Sequence, residues 1–205
     1  MNPTLRAAAE RTPGFMPAGE GLALYSAGLQ GAVIGPLLEI GSYCGKSAIY
    51  LGAAALERAT ILYSIDHHRG SEEQQPGQQF HDPNLVNDRG KVDTLPCFRQ
   101  AISDARLDAA VVGIIGESEV VAAHWGTPLG LVFIDGGHSQ AAADADFDGW
   151  SRHVRVGGIL AIHDVFPDPA GGGRPPYLIY SRALQEGAFT PAGEEGSLRI
   201  LRRVL

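Results

Sequence analysis

Short apolar runs, each closed by a polar or glycine-bearing stretch, set the rhythm of this chain. PLLEIG, ILYSID, AVVGIIGES, LVFIDG and GGILAIHDV carry aliphatic residues in succession and then stop at Gly, Asp, Glu or His. Continuous runs of this kind suit parallel strands buried on both faces, because half-exposed strands would alternate apolar with polar residues. Between the runs, apolar residues recur at helical spacing over Lys46 to Arg58, Thr94 to Arg106, Glu119 to Trp125 and Ser139 to His153, with Thr94 as a candidate cap. The alternation predicts an α/β fold with a doubly wound, mostly parallel sheet. Ligands of such sheets collect outside the carboxyl ends of the strands, which is where the polar residues fall.

The two ends of the chain differ from its middle. MPAGEGLALYSAGLQ predicts a helix within an N-terminal helical segment over residues 1–35, while FTPA and SLRILRRV around AGEEG predict a closing antiparallel hairpin. Two polar stretches interrupt the pattern: residues 69–93, expected to form a lid, and PDPAGGGRPP after the fifth run. Surface loops without function are the alternative for both.

At 205 residues the chain is expected to be one domain over 1–205, large enough to bury a core without disulfides. Sixteen Lys and Arg against 23 Asp and Glu leave a net charge of -7 and no basic patch, which argues against nucleic acid as a partner. No segment reads as an export signal or a membrane span, so a cytoplasmic protein is expected. Cys44 and Cys97 lack metal-ligand spacing and are too few for a disulfide framework.

EIGSYCGKS, from Glu39 to Ser47, places Gly41 and Gly45 between a strand and a helix. Glycines there let the backbone pass close to a ligand. A phosphate-binding P-loop needs four residues between its first glycine and the Gly-Lys pair, but only Ser42, Tyr43 and Cys44 intervene. A dinucleotide fingerprint needs a third glycine at the helix start, where Ala48 stands.

E-x-G-x-x-x-G followed by ILYSID resembles the first two motifs of the class I S-adenosylmethionine-dependent methyltransferases. The resemblance implies a Rossmann-like, seven-stranded sheet ending in an antiparallel hairpin. It also implies that Glu39, Gly41, Ser42, Gly45 and Ser47 cradle the cofactor's methionine part, with Asp135 alongside. Asp66 would accept hydrogen bonds from the ribose hydroxyls, with His67 within reach, and Glu117 and Ser118 would meet the adenine end. A strand-end carboxylate suits a neutral diol and would repel a phosphate. For Glu117, a helix-capping role is an equal alternative.

FIDGGHS and LAIHDVF resemble a subgroup of small-molecule O-methyltransferases, sugar enzymes among them, in which two strand-end acids hold a divalent metal and a histidine three positions after the first acid is the general base. Carried over, this makes Asp135 and Asp164 metal ligands, Mg²⁺ the expected ion and His138 the base. The third ligand is not fixed; Asp66 and Glu39 are candidates, both with cofactor roles. Each residue also has a plain structural explanation, such as a turn cap for Asp135 or a hydrogen-bonded pair for His163 and Asp164. His67, His68, His81 and His124 read as loop or helix histidines. The overall character is similar to actinobacterial enzymes that methylate mannosides in polysaccharide biosynthesis, which implies a sugar or oligosaccharide acceptor, and a homodimer is a family-level expectation. The alternatives are a catechol or phenol acceptor, expected to need an aromatic-lined mouth, against which the polar stretch over 69–93 argues; a non-catalytic cofactor-binding protein; and nucleotide hydrolysis, which the loop spacing disfavours.

Overall fold

The computed structural model describes residues 1–137, 139–168 and 174–205. Helices α1 (Pro3–Arg11) and α2 (Ala18–Gly31) lead into β1 (Leu37–Ile40), α3 (Lys46–Glu57), β2 (Leu62–Asp66), α4 (Leu95–Asp104), β3 (Val111–Ile115), α5 (Ser118–Ala122), β4 (Leu129–Ile134), α6 (Gln140–Trp150) and β5 (Val154–Ile162). The chain closes with α7 (Pro175–Gln185), β6 (Phe189–Glu195) and β7 (Leu198–Arg203). The sheet has the order β3-β2-β1-β4-β5-β7-β6, with the first five strands parallel and β7 antiparallel to both neighbours. This is the doubly wound sheet with a terminal hairpin that the sequence pattern predicts, in the Rossmann-like, seven-stranded form that the resemblance implies. Among the described residues, no helix is long and apolar enough to cross a membrane.

Side chains alternate between the two faces because a strand has a period of two. Leu37, Leu131, Phe133, Ile159 and Ala161 pack with Leu24, Ala48, Tyr50 and Phe98 from α2, α3 and α4. Leu38, Ile40, Val132, Ile134, Leu160 and Ile162 pack with Ala143, Phe147, Trp150 and Ile179 from α6 and α7. Helices on both sides therefore explain why the strands read as unbroken apolar runs.

The register lines up the chemistry. Ile40 pairs with Ile65 and with Ile134, Ile134 pairs with Ile162, and Asp66 pairs with Ile115. One row further on, Asp66, Gly41, Asp135 and His163 therefore stand side by side along the carboxyl edge.

Some boundaries differ from the periodic pattern. The helix expected over Glu119 to Trp125 is the short α5, and β5 starts at Val154 rather than Gly157. AGEEG is mostly strand, with the hairpin turn at Gly196 and Ser197, where Gly196 takes a φ of 52°. Helix α7 was not marked by the apolar spacing; Pro175 and Pro176 open it, a position where a missing N–H costs nothing. Residues 169–173 of PDPAGGGRPP lie outside the described residues. Thr94 precedes α4 as expected but makes no capping bond, because its Oγ1 meets His68 Nδ1 at 2.8 Å. His68 is thus a loop histidine, as expected, but a buried one that ties the end of β2 to the start of α4.

Candidate active site

An open cleft of about 880 Å³ runs along the carboxyl edge of the sheet. Gly41, Ser42, Ser47, Asp66, His67, Glu117, Ser118, Asp135 and Asp164 line it, so most of the expected site residues converge. His138 lies outside the described residues. The volume falls in the range of small-molecule sites, roughly 300–1,000 Å³.

The glycine loop is held from below by Asp66. Its Oδ2 accepts the backbone N–H groups of Ser42 (2.9 Å) and Tyr43 (2.8 Å), and its Oδ1 accepts that of His68 (2.6 Å). The carboxylate thus shapes the loop as well as facing the cleft. Gly41 has a φ of 88°, and an added Cβ would sit 2.0 Å from the Asp135 carbonyl oxygen. A close approach is made there to the backbone that follows the neighbouring strand. Gly45, at a φ of 92°, occupies the N-cap of α3, where a Cβ would press on Phe98 at 3.2 Å.

Glu39 does not line the cleft. Its side chain points to the α3 face of the sheet, fully buried, with Oε1 accepting from Ser64 Oγ at 2.5 Å, while Oε2 has no hydrogen-bond partner among the described residues. Burial pushes its pKa up to about 7, against the opposing hydroxyls of Ser64 and Ser47 and with a smaller push from Asp135 and Asp66. Because the folded-state pKa exceeds the unfolded value of 4.5, the contribution to stability is fully present below pH 4.5 and is lost as pH rises through about 7. Glu39→Gln should remove this loss, gaining on the order of 2 kcal/mol over wild type between about pH 5 and about pH 8. Urea denaturation at the two pH values measures it, and an equal offset at both would contradict it.

At the adenine end proposed from the sequence, Glu117 stands at the N-cap of α5 and makes no capping hydrogen bond. Ser118 Oγ accepts from Trp150 Nε1 at 2.7 Å. Asp146, absent from the sequence reading, is buried beside them and reaches the cleft; burial raises its pKa to about 6, opposed by a hydrogen bond from Ser118. An acid inside a helical pattern looks like any solvated face, so nothing in the sequence marked it.

The opposite end is an ionic cluster. His163 Nδ1 lies 3.0 Å from Asp135 Oδ1 and 3.5 Å from Asp164 Oδ1, and Nε2 lies 2.6 Å from Glu20 Oε2. Burial alone would lower the His163 pKa, but Asp135, Glu20 and Asp164 outweigh it and push it up to about 11. Both ring nitrogens thus face carboxylates, and this surrounding favours the protonated ring.

Asp135, His163 and Asp164 each offer a ligand atom, and these lie within 4.8 Å of one another. Two carboxylates suit a hard divalent cation. A histidine whose second nitrogen donates to a carboxylate is the usual form of a metal-ligating imidazole, and His163 would hold an ion through Nδ1 only in its neutral form. The donor set fits. It also offers a third candidate ligand beside those the sequence left open: Asp66 is occupied by three amides, Glu39 is sealed below the floor, and His163 lies next to both acids.

The mouth differs from expectation. The Phe15 ring lies tilted 5.6 Å from Tyr43 and edge-on 5.2 Å from Phe80, which comes from the 69–93 segment. With Met16 and Phe166 these rings give the cleft an apolar, aromatic wall.

Residues 38–165, more than half of the chain, match a family described as a methyltransferase domain. The fold is similar to that of the O-methyltransferase TomG from Streptomyces achromogenes, involved in tomaymycin synthesis and solved with SAM: 15% identity, TM-score 0.67, covering 100% of this chain and 91% of that one. It is also similar to an O-methyltransferase from Bacillus cereus in complex with SAH, at 17% identity and TM-score 0.63, covering 99% and 92%. SAH-bound PaMTH1 from Podospora anserina gives 13% identity and TM-score 0.66, covering 99% and 88%. At these identities the likeness is one of fold.

Proposed function

The chain belongs to the methyltransferase-domain family, and from that premise we propose that it moves a methyl group from S-adenosylmethionine to a hydroxyl oxygen of a small-molecule acceptor. The observation that carries this reading is the single cleft onto which the Gly41 loop, Asp66, Asp135 and Asp164 converge. Its lining includes the acids Asp66, Glu73, Glu117, Asp135, Asp146 and Asp164, against Lys46 and His163. An acid-rich cleft favours a cation and disfavours a phosphate, which supports a sulfonium donor over nucleotide hydrolysis.

S-adenosylmethionine supplies an activated methyl group, so the protein's part is alignment and proton removal. The loop from Gly41 to Gly45, with Ser47, holds the methionine part; Asp66 and His67 face the ribose; Glu117 and Ser118 face the adenine. Asp135, His163 and Asp164 would hold a divalent cation, which supplies positive charge to stabilise the developing alkoxide of the acceptor. As the acceptor oxygen forms its bond to the methyl carbon, the carbon–sulfur bond breaks and the hydroxyl proton passes to His138, the general base. His138→Ala should lower turnover about 10²- to 10⁴-fold with cofactor affinity near wild type. Calorimetry beside steady-state kinetics checks this, and parallel loss of both would mean a structural role.

A sugar hydroxyl, with mannosides first among candidates, is the acceptor that the motif resemblance supports. A specific observation favours a second acceptor class, a catechol or other phenol: the Phe15, Tyr43 and Phe80 rings form the aromatic mouth such an acceptor needs. The 69–93 segment contributes Phe80 to that wall, and its action as a lid is part of this proposal. The deciding experiment offers radiolabelled S-adenosylmethionine with mannosides, glucosides and catechols, with and without Mg²⁺. Transfer to none of them under any condition would refute the proposal, and transfer unaffected by chelation would remove the cation from it.

A further inference from the structure

Glu20 sits on α2, outside the residues shared with the family, yet it touches the centre of the site. It is 5% exposed. One oxygen, Oε2, accepts from His163 Nε2 at 2.6 Å; the other, Oε1, accepts from Ser197 N at 2.6 Å and Ser197 Oγ at 3.1 Å. The hairpin turn is shaped around it, since a Cβ on Gly196 would lie 2.1 Å from Oε1.

We propose that Glu20 is a positioning residue: by gripping Nε2 it fixes the His163 ring with Nδ1 toward Asp135 and Asp164, and so makes α2 and the β6–β7 turn part of the site's framework. A buried ion pair contributes little net stability over an apolar pair of similar volume, because desolvation offsets the attraction. Its value lies in orientation. An imidazole free to flip would present either nitrogen to the acids, whereas a carboxylate on one side selects the other. Ser197 in turn holds Glu20 by two hydrogen bonds, so the carboxylate itself cannot swing away.

This inference rests on the proposed cation-assisted methyl transfer, and its test is read without turnover. Full-length wild type, Glu20→Gln and Glu20→Asp are titrated with Mn²⁺ and, separately, with S-adenosylmethionine by calorimetry. Glu20→Gln keeps the shape and should bind Mn²⁺ about 10- to 100-fold more weakly, the usual effect of losing such an outer partner, while cofactor affinity stays within about twofold. Glu20→Asp, which restores the charge, should recover part of the loss. Wild-type Mn²⁺ affinity in Glu20→Gln overturns the inference, as does equal loss of Mn²⁺ and cofactor binding.

Should the variants not fold, nitrogen-15 imidazole spectra of the wild type decide. Added Mg²⁺ should move Nδ1 of His163 and leave the Nε2 proton in place, whereas a response at Nε2, or none, overturns the inference. Methyl transfer by a protein whose His163 ignores the ion leaves the proposed function standing without this addition. Glu20-dependent Mn²⁺ binding by a chain that methylates nothing does the reverse.

Discussion

Asparagine at position 135 is expected to slow methyl transfer by on the order of 10³-fold, the equivalent of several kcal/mol of lost charge stabilisation. Asp135 stands in the middle of the strand-end row, with Gly41 on one side and His163 on the other, and its Oδ1 receives the His163 Nδ1 proton at 3.0 Å. Asparagine has the same size and a carbonyl oxygen that still accepts this bond, so the fold should persist. What disappears is a negative charge facing the cleft and one of the candidate ligands for a cation. Cofactor affinity should fall by no more than about tenfold, the worth of one charged hydrogen bond. Single-turnover kinetics with calorimetry separate the two effects, and an unchanged chemical rate would take Asp135 out of the reaction.

Gly41→Ala is expected to destabilise the protein by about 3 kcal/mol or more, by adding overpacking to a left-handed backbone conformation. The new methyl would meet the Asp135 carbonyl oxygen at 2.0 Å and its carbon at 2.6 Å, both backbone atoms of an adjacent strand that cannot rotate away. Gly77 provides the control. Its φ is 86°, close to that of Gly41, but a Cβ there meets nothing within 4 Å. Gly77→Ala should therefore show only the conformational cost, about 1–2 kcal/mol. Thermal unfolding of both variants tests the comparison, and equal losses would mean that the close approach contributes nothing.

The parallel half of the fold was legible because its strands are covered on both faces, which forces continuous apolar runs, and because each run ends where the side chains turn polar. Gly41, Asp66, Asp135 and Asp164 could be picked out for that reason, and they share one cleft. Glu20, Asp146, Phe15 and Ser197 were not legible. Each belongs to a helix, a connecting segment or a hairpin turn whose local pattern is ordinary, and each acquires its place only through contacts with distant parts of the chain. His163 was visible as a strand-end residue, but its role depends on which atoms face each nitrogen, and spacing carries no such information. The polar composition of residues 69–93 pointed away from an aromatic mouth. One ring, Phe80, packed on Phe15, was enough to reverse that, and average composition does not register a single side chain.

The grip of Glu20 spans 143 residues to His163 and 177 residues to Ser197. During translation, β1 to β5 can associate while the hairpin is still inside the ribosome, but the carboxylate that orients the imidazole has only one of its two anchors until the last strands emerge. Contacts between such remote positions form slowly. A nascent polypeptide would accordingly lack the second anchor of Glu20 until β7 slots between β5 and β6, a step later than the completion of the parallel sheet.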